Sequence, residues 1–85
     1  MTILFNLYST SYCHLCEQAE ELINSLKKDY DISFIIIDIA DDMNLEVTYE
    51  RRIPVLKRLD NNQEIGWPFI KEDIKKLILC QTACN

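Results

Sequence analysis

Two cysteines in the run Cys13-His14-Leu15-Cys16 have the residue type and spacing for covalent chemistry. A C-x-x-C tetrapeptide places two thiols within one helical turn, where they can alternate between dithiol and disulfide. The same tetrapeptide also fits two small apolar residues of a packed helix, because free cysteine is among the most buried side chains. Context favours the redox reading, since the pair falls where a strand hands over to a helix. As the leading helix residue, Cys13 meets unpaired N–H groups and the positive end of the helix dipole, which stabilise thiolate over thiol. Cys16 continues a buried line through Ala19 and Ile23, one turn further in. Cys13 is therefore expected to attack a substrate disulfide, and Cys16 to resolve the mixed disulfide. His14 either lends positive charge to the thiolate or is an exposed side chain of local effect.

Ile53-Pro54 is the second informative feature. Proline has no N–H for a ladder, so it belongs at the start of a strand or on an edge. Arg51 and Arg52 precede it. One of them stabilises the thiolate or binds a substrate carboxylate if the loop folds back beside the cysteines; otherwise they are a solvated pair or partners for Glu50 and nearby acids.

The elements that must position these residues follow from periodicity. Residues 2–8 (TILFNLY) are β-branched and aromatic and run into Ser9-Thr10-Ser11, which predicts a strand and then a turn. Apolar steps of three and four through Cys16, Ala19, Ile23, Leu26 and Tyr30, widened by Leu15 and Leu22, predict a helix from Cys13 to about Asp29. The isoleucine run of residues 33–39 predicts a strand covered on both faces, parallel to the first through a right-handed crossover. Asp41 and Asp42 can cap a short helix over residues 43–51, with Leu45 and Tyr49 on one face. Residues 52–59 and 63–67 flank Asp60-Asn61-Asn62 as an antiparallel hairpin. Pro68 marks the entry to a last helix with Ile70, Ile74, Leu77 and Ile78 on its buried face.

With 85 residues there is room for one domain and one simple core. Hydrophobic residues at 48% and charged residues at 27% are an ordinary globular balance. The net charge of −5 argues against a nucleic-acid footprint or an anionic membrane surface, both of which need clustered cations. The apolar start Met1-Thr2-Ile3-Leu4-Phe5 lacks a basic flank and is cut short by Asn6, so a cytoplasmic location is expected. A monomer is expected as well. Four cysteines in a reducing compartment point to redox or metal chemistry rather than to a disulfide scaffold.

Over nearly its whole length the chain resembles the glutaredoxin and thioredoxin superfamily, in particular the small bacterial glutaredoxin-like proteins. The resemblance is carried by the strand ending at Tyr8 before Cys13-His14-Leu15-Cys16, by Arg52-Ile53-Pro54-Val55, and by the Ile65-Gly66 strand before the last helix. It implies an α/β, thioredoxin-like fold of order β-α-β-α-β-β-α, a four-stranded mixed sheet flanked by three helices, with a cis Pro54 beside Cys13. It also implies a thiol–disulfide oxidoreductase acting on a disulfide-containing protein or small thiol substrate. The Ile53 backbone would hydrogen-bond that substrate, and Tyr12, His14, Arg52 and Pro54 would be further contacts. No bound cofactor is expected; glutathione or a thioredoxin-reductase system would donate the electrons. Typical family members have Pro-Tyr or Pro-Phe between the cysteines, a Lys three residues before the first, and Gly-Gly with a following Asp. Here His14-Leu15, Thr10, Gly66-Trp67-Pro68-Phe69 and Ile70 stand at those places. Trp67 either narrows the groove, offers an apolar contact to a protein substrate, or packs into the core.

Two other functions fit the same residues. One is a metal or iron–sulfur module using Cys13 with Cys16, Cys80 or an external thiol. The other is a non-catalytic adaptor that keeps the fold and binds through the groove. Cys80 and Cys84 read as partly buried thiols near the C-terminus, or as a second redox pair.

Overall fold

The computed structural model describes residues 2–11, 13–49 and 52–79. Their order is β1 (Ile3–Ser9), α1 (His14–Leu26), β2 (Ile32–Asp38), a 3-10 turn (Ile39–Asp41), α2 (Met43–Tyr49), β3 (Val55–Arg58), β4 (Glu64–Gly66) and α3 (Lys71–Leu79). The strands form one mixed sheet in the order β2-β1-β3-β4. β1 and β2 are parallel from Ile3↔Ile32 to Ser9↔Asp38. β3 runs antiparallel to β1, with Tyr8↔Val55, and β4 antiparallel to β3, with Val55↔Gly66. This is the thioredoxin-like fold.

Side-chain alternation divides the sheet into two unequal faces. Phe5, Leu7, Ile32 and Leu56 meet Ala19, Ile23 and Leu26 of α1 and Ile74, Leu77 and Ile78 of α3 in the main core. On the other face Tyr8 and Val55 meet Tyr49 and Ile39 in a smaller cluster, with Ile37, Leu45 and Ile53 against it. Among the described residues the α-helix on this side is α2, of seven residues, and with the 3-10 turn it reaches only one end of the sheet. The isoleucine strand is accordingly not covered on both faces: β2 is an edge, and Ile35 and Ile36 are 61% and 51% exposed. A continuous apolar run is compatible with an edge strand as well as with a central one, and only the strand order separates the two.

Several boundaries also shift. Cys13 is the N-cap of α1 rather than its first helical residue, and the helix ends at Leu26. Leu15 lies outside the buried stripe, 43% exposed. α3 begins only at Lys71, so Ile70 precedes it and is exposed, while its N–H is held by Asp73 Oδ2 at 3.0 Å. β3 starts at Val55 because the N–H groups of Arg52 and Ile53 turn back to the Tyr49 carbonyl, at 2.8 and 3.1 Å. At the hairpin tip Asn62 takes φ 60°, a conformation asparagine tolerates, and Asn61 Oδ1 accepts the Gln63 N–H at 2.9 Å.

Arg58 closes the far end of the molecule. Only 7% exposed, it donates through Nη1 to the Leu77 and Ile78 carbonyls at 2.9 and 2.8 Å, and through Nε and Nη2 to Asp60 at 2.6 and 3.0 Å. A guanidinium thus satisfies two end carbonyls of α3 at the negative end of its dipole. The same pairing holds the Asp60 carboxyl below its usual range.

Candidate active site

Cys13 and Cys16 are joined by a disulfide, with Cα atoms 5.2 Å apart. Cys13 adopts an extended backbone (φ −97°, ψ 104°) as N-cap, and its Sγ accepts the Cys16 N–H at 3.1 Å. A cysteine sulfur thus occupies the position where serine or aspartate usually caps a helix. Donation from the first helical turn favours the sulfur as an anion once the disulfide is reduced. The two sulfurs differ in access: Cys16 is 3% exposed beside Ala19 at 0%, while Cys13 is partly exposed at the helix tip. His14 projects outward with its side chain 93% exposed, and Nδ1 lies 3.6 Å from Glu17 Oε2. It faces a carboxylate of its own helix.

The sheet register brings the proline loop to the same end. Tyr8 lies opposite Val55, so the chain leaving β1 towards Cys13 and the chain entering β3 from Pro54 emerge side by side. Pro54 is buried, and the Ile53–Pro54 and Trp67–Pro68 peptide bonds are both cis. Ile53 is partly buried against the smaller cluster, and its N–H is already engaged by Tyr49. Of the Ile53 backbone groups, the N–H is therefore held within the protein. Tyr12, Arg51, Glu50, Cys80 and Cys84 lie outside the described residues.

Arg52 is committed to an acid. Its Nη2 donates to Glu64 Oε1 at 2.9 Å, and its guanidinium stands 5.6 Å from the centre of the Tyr49 ring. The other Glu64 oxygen accepts the Tyr49 hydroxyl at 2.9 Å, and Tyr49 stacks on Tyr8 with ring centres 4.4 Å apart. Burial, followed by the Glu64 hydrogen bond and its negative charge, pushes the Tyr49 phenol up from 10.0 to about 12. Tyr8, Tyr49, Glu64 and Arg52 thus make one connected group over Val55, directly behind the proline loop. Sequence reading placed Tyr49 on a helix face and Arg52 near an acid, but nothing local marks Glu64, fifteen residues from Tyr49, as the shared partner.

Of the readings of Trp67, packing against the core is the one the structure shows. The ring packs edge-on against Phe69, centres 5.1 Å apart, and with Gln18, Glu21, Leu22, Ser25 and Lys71 it lines a cleft of about 390 Å³ between α1 and the start of α3. Among the described residues, no group of three or more His, Cys, Asp or Glu side chains is placed to hold a metal ion.

A thioredoxin-like sheet with a bonded C-x-x-C pair capping its first helix defines the class: a redox-type domain of the thioredoxin superfamily. Residues 5–79 match the sequence model of the glutaredoxin-like domain (DUF836), and the chain belongs to that family. A crystal structure of protein XcR50 from X. campestris is similar at 33% identity, covering 86% of this chain and 92% of that one with a TM-score of 0.74. The solution structure of Ne2328 from Nitrosomonas europaea shares the fold at 23% identity and TM-score 0.80, covering 89% and 91%. A mutant thioredoxin from Halobacterium salinarum shares it at 19% identity and TM-score 0.67, covering 89% and 71%. No curated protein matches the chain.

Proposed function

We propose that the protein is a thiol–disulfide oxidoreductase that reduces protein or small-molecule disulfides through the Cys13–Cys16 couple. The observation that carries this reading is the asymmetry of the pair: one sulfur accepts an N–H at the helix tip, and the other is buried behind it. In the reduced protein the Cys13 thiolate attacks a substrate disulfide R–S–S–R, forming Cys13–S–S–R and releasing one thiolate. Cys16 then attacks Cys13 Sγ, closing the Cys13–Cys16 bond and releasing the second thiolate. Two electrons pass from protein to substrate, and two thiols leave. An external donor, glutathione or a thioredoxin-reductase system, returns the pair to the dithiol. The Ile53–Pro54 loop borders the attacking sulfur and receives the substrate chain.

The test pairs two variants in an insulin or hydroxyethyl-disulfide assay. Cys13→Ser is expected to abolish turnover, and Cys16→Ser to retain attack but accumulate a mixed disulfide on Cys13, visible by intact mass. Full reductase activity in Cys13→Ser would sink the assignment.

A further inference from the structure

The proline loop is docked on β4 and the residue after it. The Trp67 N–H, just past the strand, donates to the Pro54 carbonyl at 3.0 Å. A Cβ on Gly66 would lie 3.8 Å from the Arg52 carbonyl oxygen, so the two backbones run close together there. Both of these are main-chain features. A further link is made by a side chain. Glu64 accepts the Arg52 Nη2 at 2.9 Å on one carboxylate oxygen and the Tyr49 hydroxyl at 2.9 Å on the other. Its side chain is 26% exposed, so these bonds are screened less than those of an open surface carboxylate. Tyr49 in turn receives the Arg52 and Ile53 N–H groups on its carbonyl, at 2.8 and 3.1 Å. Glu64 therefore holds the loop twice: directly through the Arg52 side chain, and indirectly through the helix residue onto which the loop folds back. Among the described residues no hydrogen bond or ion pair joins Glu64, Arg52 or Tyr49 to either cysteine, and the bond at Cys13 Sγ is made within α1.

We propose that Glu64 is a positioning residue of the disulfide exchange, holding the loop of residues 52–54 in place for a polypeptide disulfide through its paired bonds to Arg52 and Tyr49. This rests on the redox reading above. A segment already fixed where a chain docks spares the cost of ordering it on binding, and a small misplacement of such a segment costs rate far out of proportion to its size. A polypeptide disulfide lies along the loop, whereas a small disulfide meets little beyond the attacking sulfur. Loss of Glu64 therefore separates the two. The contribution is one of geometry rather than charge. A glutamine of the same length can accept from Arg52 through its carbonyl and donate to the Tyr49 phenol oxygen through its amide, so it keeps both contacts without the carboxylate.

The experiment uses the full chain, pre-reduced with dithiothreitol and freed of it. Its single-turnover oxidation is followed with two disulfides, a cystine within an extended peptide and hydroxyethyl disulfide. The ratio of the two second-order rate constants reads the loop, because the reactivity of the Cys13 thiol enters both. Glu64→Ala is expected to lower the peptide-to-small ratio about tenfold, and Glu64→Gln to return it to within about twofold of wild type. The pH profile of Cys13 alkylation by iodoacetamide should stay in place in both variants. Should Glu64→Ala fail to fold, Tyr49→Phe, which removes the hydroxyl bond alone, is expected to lower the ratio about threefold. A wild-type ratio in the alanine variant, or in Tyr49→Phe where that variant stands in for it, would overturn the proposal. So would a glutamine variant no better than alanine, or a shifted alkylation profile, each leaving the redox function standing. A wild-type protein that reduces neither disulfide would overturn the redox function and this inference with it.

Discussion

Tyr49 joins the smaller core to the proline loop, and replacing it with phenylalanine isolates one bond. The ring stack on Tyr8 and the burial survive in Tyr49→Phe; only the hydroxyl that donates to Glu64 is removed. Arg52 still holds the other carboxylate oxygen, so Glu64 keeps a partner and the loss should be that of one hydrogen bond to a charged group, about 1.5–3 kcal/mol. The phenol pKa, raised first by burial and then by this bond, makes the buried hydroxyl visible through pH. Tyr49 keeps its proton in the folded state up to about pH 12, whereas an unfolded tyrosine loses it at 10.0. Its contribution is therefore complete below the lower value and is lost as pH rises through the higher one. Linkage gives a loss on the order of 1 kcal/mol near pH 11 and on the order of 2 kcal/mol near pH 12. Urea unfolding of wild type and Tyr49→Phe at neutral pH and at steps up to that range should show a gap that shrinks by these amounts. Subtracting the variant cancels the other tyrosines and the lysines. A gap that stays constant with pH, or an ultraviolet tyrosinate titration in which every phenol ionises near ~10, would refute the reasoning.

Arg58→Ala should cost about 2–4 kcal/mol by urea unfolding, since it removes a buried cap from the α3 carbonyls; Arg58→Lys should recover only part of this, because one ammonium cannot reproduce the fork. Leu56→Ala, at a fully buried position, should cost about 2–5 kcal/mol, whereas Ile35→Thr on the open edge should stay within about 0.5 kcal/mol; similar losses in the two would contradict the edge placement of β2. Tyr49→Phe should slow reduction of a disulfide about two- to tenfold while leaving the pH profile of Cys13 alkylation in place, and a coincident shift of that profile would contradict separate support for loop and thiol.

Features with a short-range physical signature were legible in the sequence. The cysteine pair, the first strand through Tyr8, the helical phase that buries Cys16, and Pro54 just ahead of a strand each depend on neighbours within one or two turns. The order of the elements followed from the same periodicities. What was not legible depends on which strands become neighbours. The isoleucine run has the same composition at an edge as in the middle of a sheet, so its exposure emerged only with the strand order. Arg58 looked like one more residue of a hairpin, yet it caps a helix about twenty residues away. Glu64 carried no signal, because its importance lies in accepting from Tyr49 and Arg52 at once.

These long-range contacts explain how a small domain can hold its site from two directions. The main core sets α1 through Ala19, Ile23 and Leu26, and with it the cap geometry at Cys13 and the burial of Cys16. The smaller cluster sets Tyr49, whose carbonyl takes the Arg52 and Ile53 N–H groups and whose hydroxyl reaches Glu64, so it fixes the proline loop. β1 and β3 are common to both, with Leu7 and Leu56 facing one cluster and Tyr8 and Val55 the other. The thiol and the loop that would receive a substrate are thus registered by one strand pair but supported by different side chains. A change confined to the smaller cluster is therefore expected to alter the proline loop without altering the N–H donation to Cys13 Sγ on which the proposed nucleophile depends. The reverse is harder to achieve, because the main core carries most of the buried apolar surface and a loss there weakens the sheet on which both depend.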